Sequence, residues 1–124
     1  MKAVLHYRAS DGFRAALARD AAAAGIDAVT VDEFDDEGFA REIADADALL
    51  HVLKPVTATM IAAAPRLKLI QKIGVGVNTI DLEAARAAGV AVANMPGTNS
   101  QAVAEMTLAL MLAVLRRLSY LDPL

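Results

Sequence analysis

Strand-like and helix-like runs alternate five times along this chain, and that rhythm limits the folds open to it more than any other feature. "KAVLHY" (2–7), "IDAVTV" (26–31), "DALLHVL" (47–53), "LKLIQKI" (67–73) and "VAVAN" (90–94) are short and apolar, as strands buried in a parallel sheet are. Helical spacing fills the intervals. Phe13, Leu17, Ala21 and Ala24 share one face of a helix over 11–24, and Gly25 supplies its stop. A weak, acidic helix follows over 35–44, with Phe39 and Ile43 four apart. Thr57 caps a helix over 57–64 that Pro65 ends, and Asp81 caps one over 82–88 that Gly89 stops. A last helix runs from about 101 to 118, with Asn99 or Ser100 as its cap.

Repeated strand–helix units imply a parallel sheet layered between helices, and right-handed crossovers leave few topologies. The expected fold is α/β and flavodoxin-like: a five-stranded parallel sheet in the order 2-1-3-4-5 with helices on both faces. A length of 124 residues, 56% of them hydrophobic, suits one core. We expect that core over 1–98, with the final helix and tail over 99–124. A net charge of −3 argues against nucleic acid as a partner, because a sequence-independent grip on phosphates needs a basic face. Without cysteine there is no disulfide framework, thiol nucleophile or zinc-thiolate site. No leader-like segment is visible after Met1-Lys2. The longest strongly apolar run, 106–115, is shorter than the about 20 residues a bilayer requires. A cytoplasmic protein with no membrane partner is expected.

The stretch "LIQKIGVGVNTIDLEAARAAGVAV" (69–92) sets Gly74-Val75-Gly76 between a strand and a helix, as a nucleotide phosphate loop would be. A dinucleotide fingerprint needs a third glycine, where Thr79 stands, and an acidic residue at the end of the next strand, where Asn94 stands. The strand is also the fourth rather than the first. The loop reads as a tight turn, or as backbone brought close to a small anion by two glycines. "HVLKP" and "NMPGTNS" follow the third and fifth strands, so they lie at the same carboxyl edge, where open α/β sheets bind ligands.

Plainer readings compete at each position. Lys54 is either a solvated lysine at a strand end or a substrate contact. His6 and His51 read as ordinary residues near strand ends, without the spaced partners of a metal site. Glu105 suits the first turn of its helix, and the acidic run from Asp32 to Glu37 reads as a solvated loop and helix start. A receiver domain would place acidic residues where "HYR" stands and an Asp at the end of "LLHVL". A flavodoxin would place a Ser/Thr/Gly-rich phosphate loop where "HYRASDGF" stands. Neither pattern is present.

Taken in order, the Gly-x-Gly loop, "IDLEAA", a Gly-Val strand, Asn-x-Pro, then Asn-Ser and "VAE" opening a helix resemble the D-isomer-specific 2-hydroxyacid dehydrogenases over 67–117. "LLHVLKPVTATMIAAAPRLKLI" is similar to the preceding family segment, whereas 1–45 agree only in rhythm. The resemblance implies a substrate-binding domain that sits beside an NAD-binding Rossmann domain. It implies that the main-chain amides of Val75 and Gly76 hold the carboxylate of a small 2-hydroxy or 2-oxo acid. Leu53 and Lys54 would line that cleft, and Asn99 and Ser100 would open the helix that crosses between domains. Asn78 and Thr79 depart from the family's usual Asp-Asn. The family's NAD fingerprint and its catalytic Arg, Glu and His come later than Leu124. No catalytic residue, cofactor site or metal is therefore expected in this chain, NAD is implied only for the longer family enzyme, and the chain alone should be inactive. The alternative is a stand-alone, non-catalytic flavodoxin-like binding or assembly module.

Between Ala102 and Leu115 the only charge is Glu105, so the last helix is apolar on more than one side. It either folds back over its own sheet or pairs between chains. The expectation is a homodimer through 101–118, with helix exchange hinged at "NMPGTNS".

Overall fold

The computed structural model describes residues 1–121. Eleven elements run β1 (Lys2–His6), α1 (Asp11–Ala23), β2 (Asp27–Val31), α2 (Asp36–Ile43), β3 (Ala48–His51), α3 (Ala58–Ala62), β4 (Leu69–Lys72), α4 (Leu82–Ala87), β5 (Ala91–Ala93), α5 (Ser100–Leu115) and α6 (Leu118–Leu121). The five strands form one parallel sheet in the order β2-β1-β3-β4-β5, the flavodoxin-like arrangement that the alternation implied. Strands stop up to two residues short of the apolar runs at one or both ends, because those runs extend into the flanking connections.

Side chains alternate across a strand, so the pairing register sorts them by face. Val29, Val4, Leu49, Ile70 and Val92 stand side by side across all five strands. Phe39 and Ile43 of α2, Ile61 of α3 and Ala85 of α4 close over this row, with Val56, Leu67, Ile80 and Val90 from the connections. That is the core. The opposite face carries the rows Ala28–Ala3–Ala48–Leu69–Ala91 and Thr30–Leu5–Leu50–Gln71–Ala93. Among the described residues only α1 lies there, chiefly along β2. It has no buried residue, and Phe13, on its expected apolar face, is 53% exposed. Leu5 is buried beneath it, but Leu50 and Leu69 are only half-covered.

The short helices start where their caps dictate. Ser10, Asp35, Thr57 and Asp81 each accept a hydrogen bond from a backbone N–H three residues on. Asn99 holds the cap position of α5, as expected, but its side chain makes no capping bond. This helix also ends earlier than the run to 118 suggested. Arg117 takes a left-handed φ of 52°, and α6 begins after it. No glycine marks that stop. α5 does not fold back over the sheet, and its one substantial neighbour is α6. Each large apolar side chain from Val103 to Leu115 is more than half exposed. Residues 122–124 of the tail expected over 99–124 lie outside the described residues. No helix among the described residues is long and apolar enough to cross a membrane.

Candidate functional site

Three loops at the carboxyl edge are stitched together by hydrogen bonds. The loop after β4 lies in the middle. On one side Val56 N donates to Thr79 O at 2.8 Å, Asp81 N donates to Val56 O at 2.9 Å, and His51 Nε2 meets Thr79 Oγ1 at 2.8 Å. On the other side Met95 N donates to Gly74 O at 2.9 Å, and Asn94 Nδ2 donates to Val75 O at 2.7 Å. The carbonyls of Gly74 and Val75 are thus turned toward the β5 loop and held there. The N–H groups of Val75 and Gly76 make no hydrogen bond with the described residues. They are held in place yet free to donate.

The two glycines of this loop are not equally required. Gly74 has φ 147°, which a side chain would strain. At Gly76 a Cβ would stand 2.9 Å from Asn78 Oδ1, the end of a side chain that can turn aside. Thr79, one of the two departures from the family pattern, anchors the loop through both its hydroxyl and its carbonyl.

His6, His51 and Lys72 are register partners at the ends of β1, β3 and β4, and all three are buried. His6 stacks on Phe39 with ring centroids 3.9 Å apart, and its Nε2 has no partner among the described residues. Lys72 Nζ donates to Val52 O. Burial, with the charge of Lys72 and then His6 beside it, lowers the His51 pKa to about 4. Burial, reinforced by Lys54, lowers that of His6 as well. Both rings are therefore neutral near pH 7, and His51 acts on the loop as a brace rather than as a proton-transfer group.

Leu53 is 61% exposed and Val75 45% exposed, so both present apolar surface at this edge. Lys54 turns to the acidic corner: its Nζ donates to Glu33 O at 2.9 Å and pairs with the Asp36 carboxylate. That bond, and the lysine's charge, hold the Asp36 carboxyl below the usual carboxylate range. Asn99 and Ser100 follow a turn made by Gly97 at φ 78°. Neither side chain is hydrogen-bonded to the glycine loop among the described residues. The sequence singled out Asn94 only as a missing acid, but it is what holds Val75. Its place in the Asn-x-Pro pattern was the available signal.

The start of α4 differs from a pyrophosphate site. A pyrophosphate would need the free N–H groups at the start of α4, but the Asp81 carboxylate already accepts from Ala84 N at 2.9 Å, and Glu83 follows. Among the described residues no group of three His, Cys, Asp or Glu could hold a metal ion.

The sequence pattern of the D-isomer specific 2-hydroxyacid dehydrogenase catalytic domain matches residues 5–117. The D-3-phosphoglycerate dehydrogenase of Mycobacterium tuberculosis strain H37Rv is 41% identical over 93 residues, which are 74% of this chain and 18% of that protein. The glyoxylate reductase of Thermofilum pendens is 42% identical over 87 residues, 69% of this chain and 26% of that protein. Among solved structures, the NAD-dependent formate dehydrogenase of Staphylococcus aureus in complex with NAD matches with a TM-score of 0.81 at 26% identity, covering 97% of this chain and 40% of that one. The NAD+-bound 3-phosphoglycerate dehydrogenase of Entamoeba histolytica matches with a TM-score of 0.78 at 26% identity, covering 91% and 38%. This chain spans well under half the length of these relatives.

Proposed function

The chain belongs to the D-isomer specific 2-hydroxyacid dehydrogenase family, through its catalytic domain, and we propose that it supplies the part of the active site that holds the substrate's carboxylate. One observation carries the reading: the free N–H groups of Val75 and Gly76, on a loop braced from both sides by His51–Thr79 and Asn94–Val75. Paired main-chain donors at a strand end suit a small anion. Leu53 would close the cleft with its side chain. Lys54, tied to Asp36, would contribute position and long-range charge rather than a direct contact. Asn99 and Ser100 would mark where the chain leaves this half.

Nicotinamide chemistry belongs to a second, nucleotide-binding half of the enzyme. Hydride transfer needs the two reactants held against each other, and half a cleft does not hold both. The chain alone is therefore inactive, and the whole enzyme uses NAD on a 2-hydroxy or 2-oxo acid. Calorimetry tests this division. NAD alone should give no binding at micromolar concentration, whereas D-glycerate should bind near millimolar, about −4 kcal/mol. Micromolar NAD affinity, or NAD-dependent turnover by this chain, would overturn it.

The exposed α5 carries a second part of the proposal, a homodimer built on 101–118. Each large apolar side chain left in water forgoes about 1.5–3 kcal/mol, and several together equal the about 5–15 kcal/mol of a small domain's stability. The apolar α5, rather than any second ligand site, is also what would favour a stand-alone assembly module. Light scattering at low micromolar concentration should report twice the chain mass, and Leu108→Lys with Leu112→Lys should abolish the dimer. A wild-type chain that stays monomeric without aggregating would refute this part.

A further inference from the structure

Beside the glycine loop lies a cleft of about 420 Å³, lined by Leu5, Phe13, Val52 and Ile73, with Arg8 and Ser10 at the β1–α1 turn. Its size falls within the range of small-molecule pockets, about 300–1,000 Å³. Its place matters as much as its size. β1 and β3 are adjacent, α1 leaves on one face and α3 on the other, so this is the point where the winding reverses. Ligands of open α/β sheets lie outside the carboxyl ends of the strands at that point. Ile73 lines the cleft and directly precedes Gly74, so the cleft and the free amides of Val75 and Gly76 are continuous along the chain. Phe13 and Ile73 are 53% and 42% exposed, apolar surface kept in water at a strand edge.

The charges point the same way. Three cations stand at the ends of β1, β3 and β4; Lys54 and Lys72 are held by hydrogen bonds, and Arg8, 74% exposed at its side chain, is only loosely paired. Arg8 Nε lies 3.8 Å from an Asp32 carboxylate oxygen, Lys54 is held by Asp36 and by Glu33 O, and Lys72 donates to Val52 O. The Glu33 carboxylate accepts from Arg8 N, which brings a negative charge into the turn that borders the cleft. Arg14 lines a different groove, with Asp32 and Asp35. A second anionic group on the substrate would meet the Asp32 and Glu33 carboxylates beside Arg8, with Lys54 and Lys72 already hydrogen-bonded, whereas an apolar group would meet Leu5, Phe13, Val52 and Ile73.

We propose that this cleft seats the substrate's side chain, and that the substrate class is a monocarboxylic 2-hydroxy or 2-oxo acid with an apolar side chain, not a phosphorylated one. The inference rests on the reading of Val75 and Gly76 as the carboxylate site.

NMR titration of the chain, observing backbone amides and side-chain methyls together, separates the two. D-Lactate, D-phenyllactate and 3-phosphoglycerate serve as probes. D-Phenyllactate should move the Val75 and Gly76 amides and the methyls of Leu5, Val52 and Ile73. It should bind about tenfold tighter than D-lactate, since even one methylene in an apolar pocket is worth about that factor. 3-Phosphoglycerate should bind no tighter than D-lactate. Phe13→Ala, at an exposed position, should bring D-phenyllactate down to the affinity of D-lactate, as should Val52→Ala in part. If 3-phosphoglycerate binds tightest, or if all three move the amides alike while the methyls stay still, the substrate class is wrong and the carboxylate site stands. An unchanged preference in Phe13→Ala likewise removes the cleft as the seat. If the methyls move without the amides, or nothing moves, the carboxylate site fails and the class built on it falls too.

Discussion

The two faces of the sheet are made from the same five strands and differ in almost everything else. On one, an unbroken row from Val29 to Val92 is sealed by α2, α3 and α4, and Val4, Leu49 and Ile70 have essentially no exposure. On the other, the rows mix alanine, Thr30 and Gln71 with a few leucines, and α1 covers only the β2–β1 side. The helix that would complete a flavodoxin-like second layer, α5, leaves instead. The difference separates what makes the fold from what serves it. The closed face supplies the cooperative core, and it also braces the candidate site, because His51 lies on that face and reaches the glycine loop from beneath.

Substitution on the two faces gives the largest expected effects. Leu49→Ala opens a cavity in the sealed core and should cost about 2–5 kcal/mol in chemical denaturation. Leu50→Ala, the next residue on the half-covered face, should cost less than about 1 kcal/mol, as surface changes do. Equal costs would mean that the second face is as well packed as the first.

Acid attacks the closed face through its two buried histidines. His51 is 1% exposed, and its pKa is about 4 in the fold against 6.5 for a free imidazole. A base whose folded-state pKa is depressed favours folding only while it is neutral. Its contribution is whole above about pH 6.5, declines as pH falls, and is gone below about pH 4. The loss over that window is roughly 3 kcal/mol, with His6 adding in the same direction. Melting temperatures measured between pH 7 and 4 should fall steadily, and His51→Gln should flatten the slope. A flat wild-type profile down to pH 4 would show that His51 is not held neutral. The smallest effect belongs to the loop itself. Asn94→Ala removes the bond to Val75 O, costs about 1 kcal/mol, and should weaken carboxylate binding severalfold.

The closed face was legible in the sequence because its signals are local. Apolar runs, caps at Thr57 and Asp81, and stops at Gly25 and Gly89 all act within a few residues, and together they set the strand–helix alternation from which the sheet order was expected. The resemblance over 67–117 rested on spaced residues and led to the family that the comparisons established. What was hidden depends on distant pairing. Nothing in "VNTID" announces that Thr79 would meet His51, 28 positions earlier, or that Asn94 would reach back to Val75. Lys54 looked free because its partners, Glu33 and Asp36, are brought near only by the sheet. The pattern in α1 put Phe13 on the apolar face, but periodicity does not say whether anything covers that face. The end of α5 was missed because Arg117 supplies the left-handed turn that a glycine usually marks.

The central claim is that two free amides on a braced loop hold the substrate's carboxylate. Amide-resolved NMR titration with D-glycerate tests it directly. Val75 and Gly76 should show the largest shifts, saturating near millimolar, with smaller ones confined to the rest of 74–79 and to Asn94. Shifts centred on the acidic corner or on the start of α5, or no shifts at all, would contradict it.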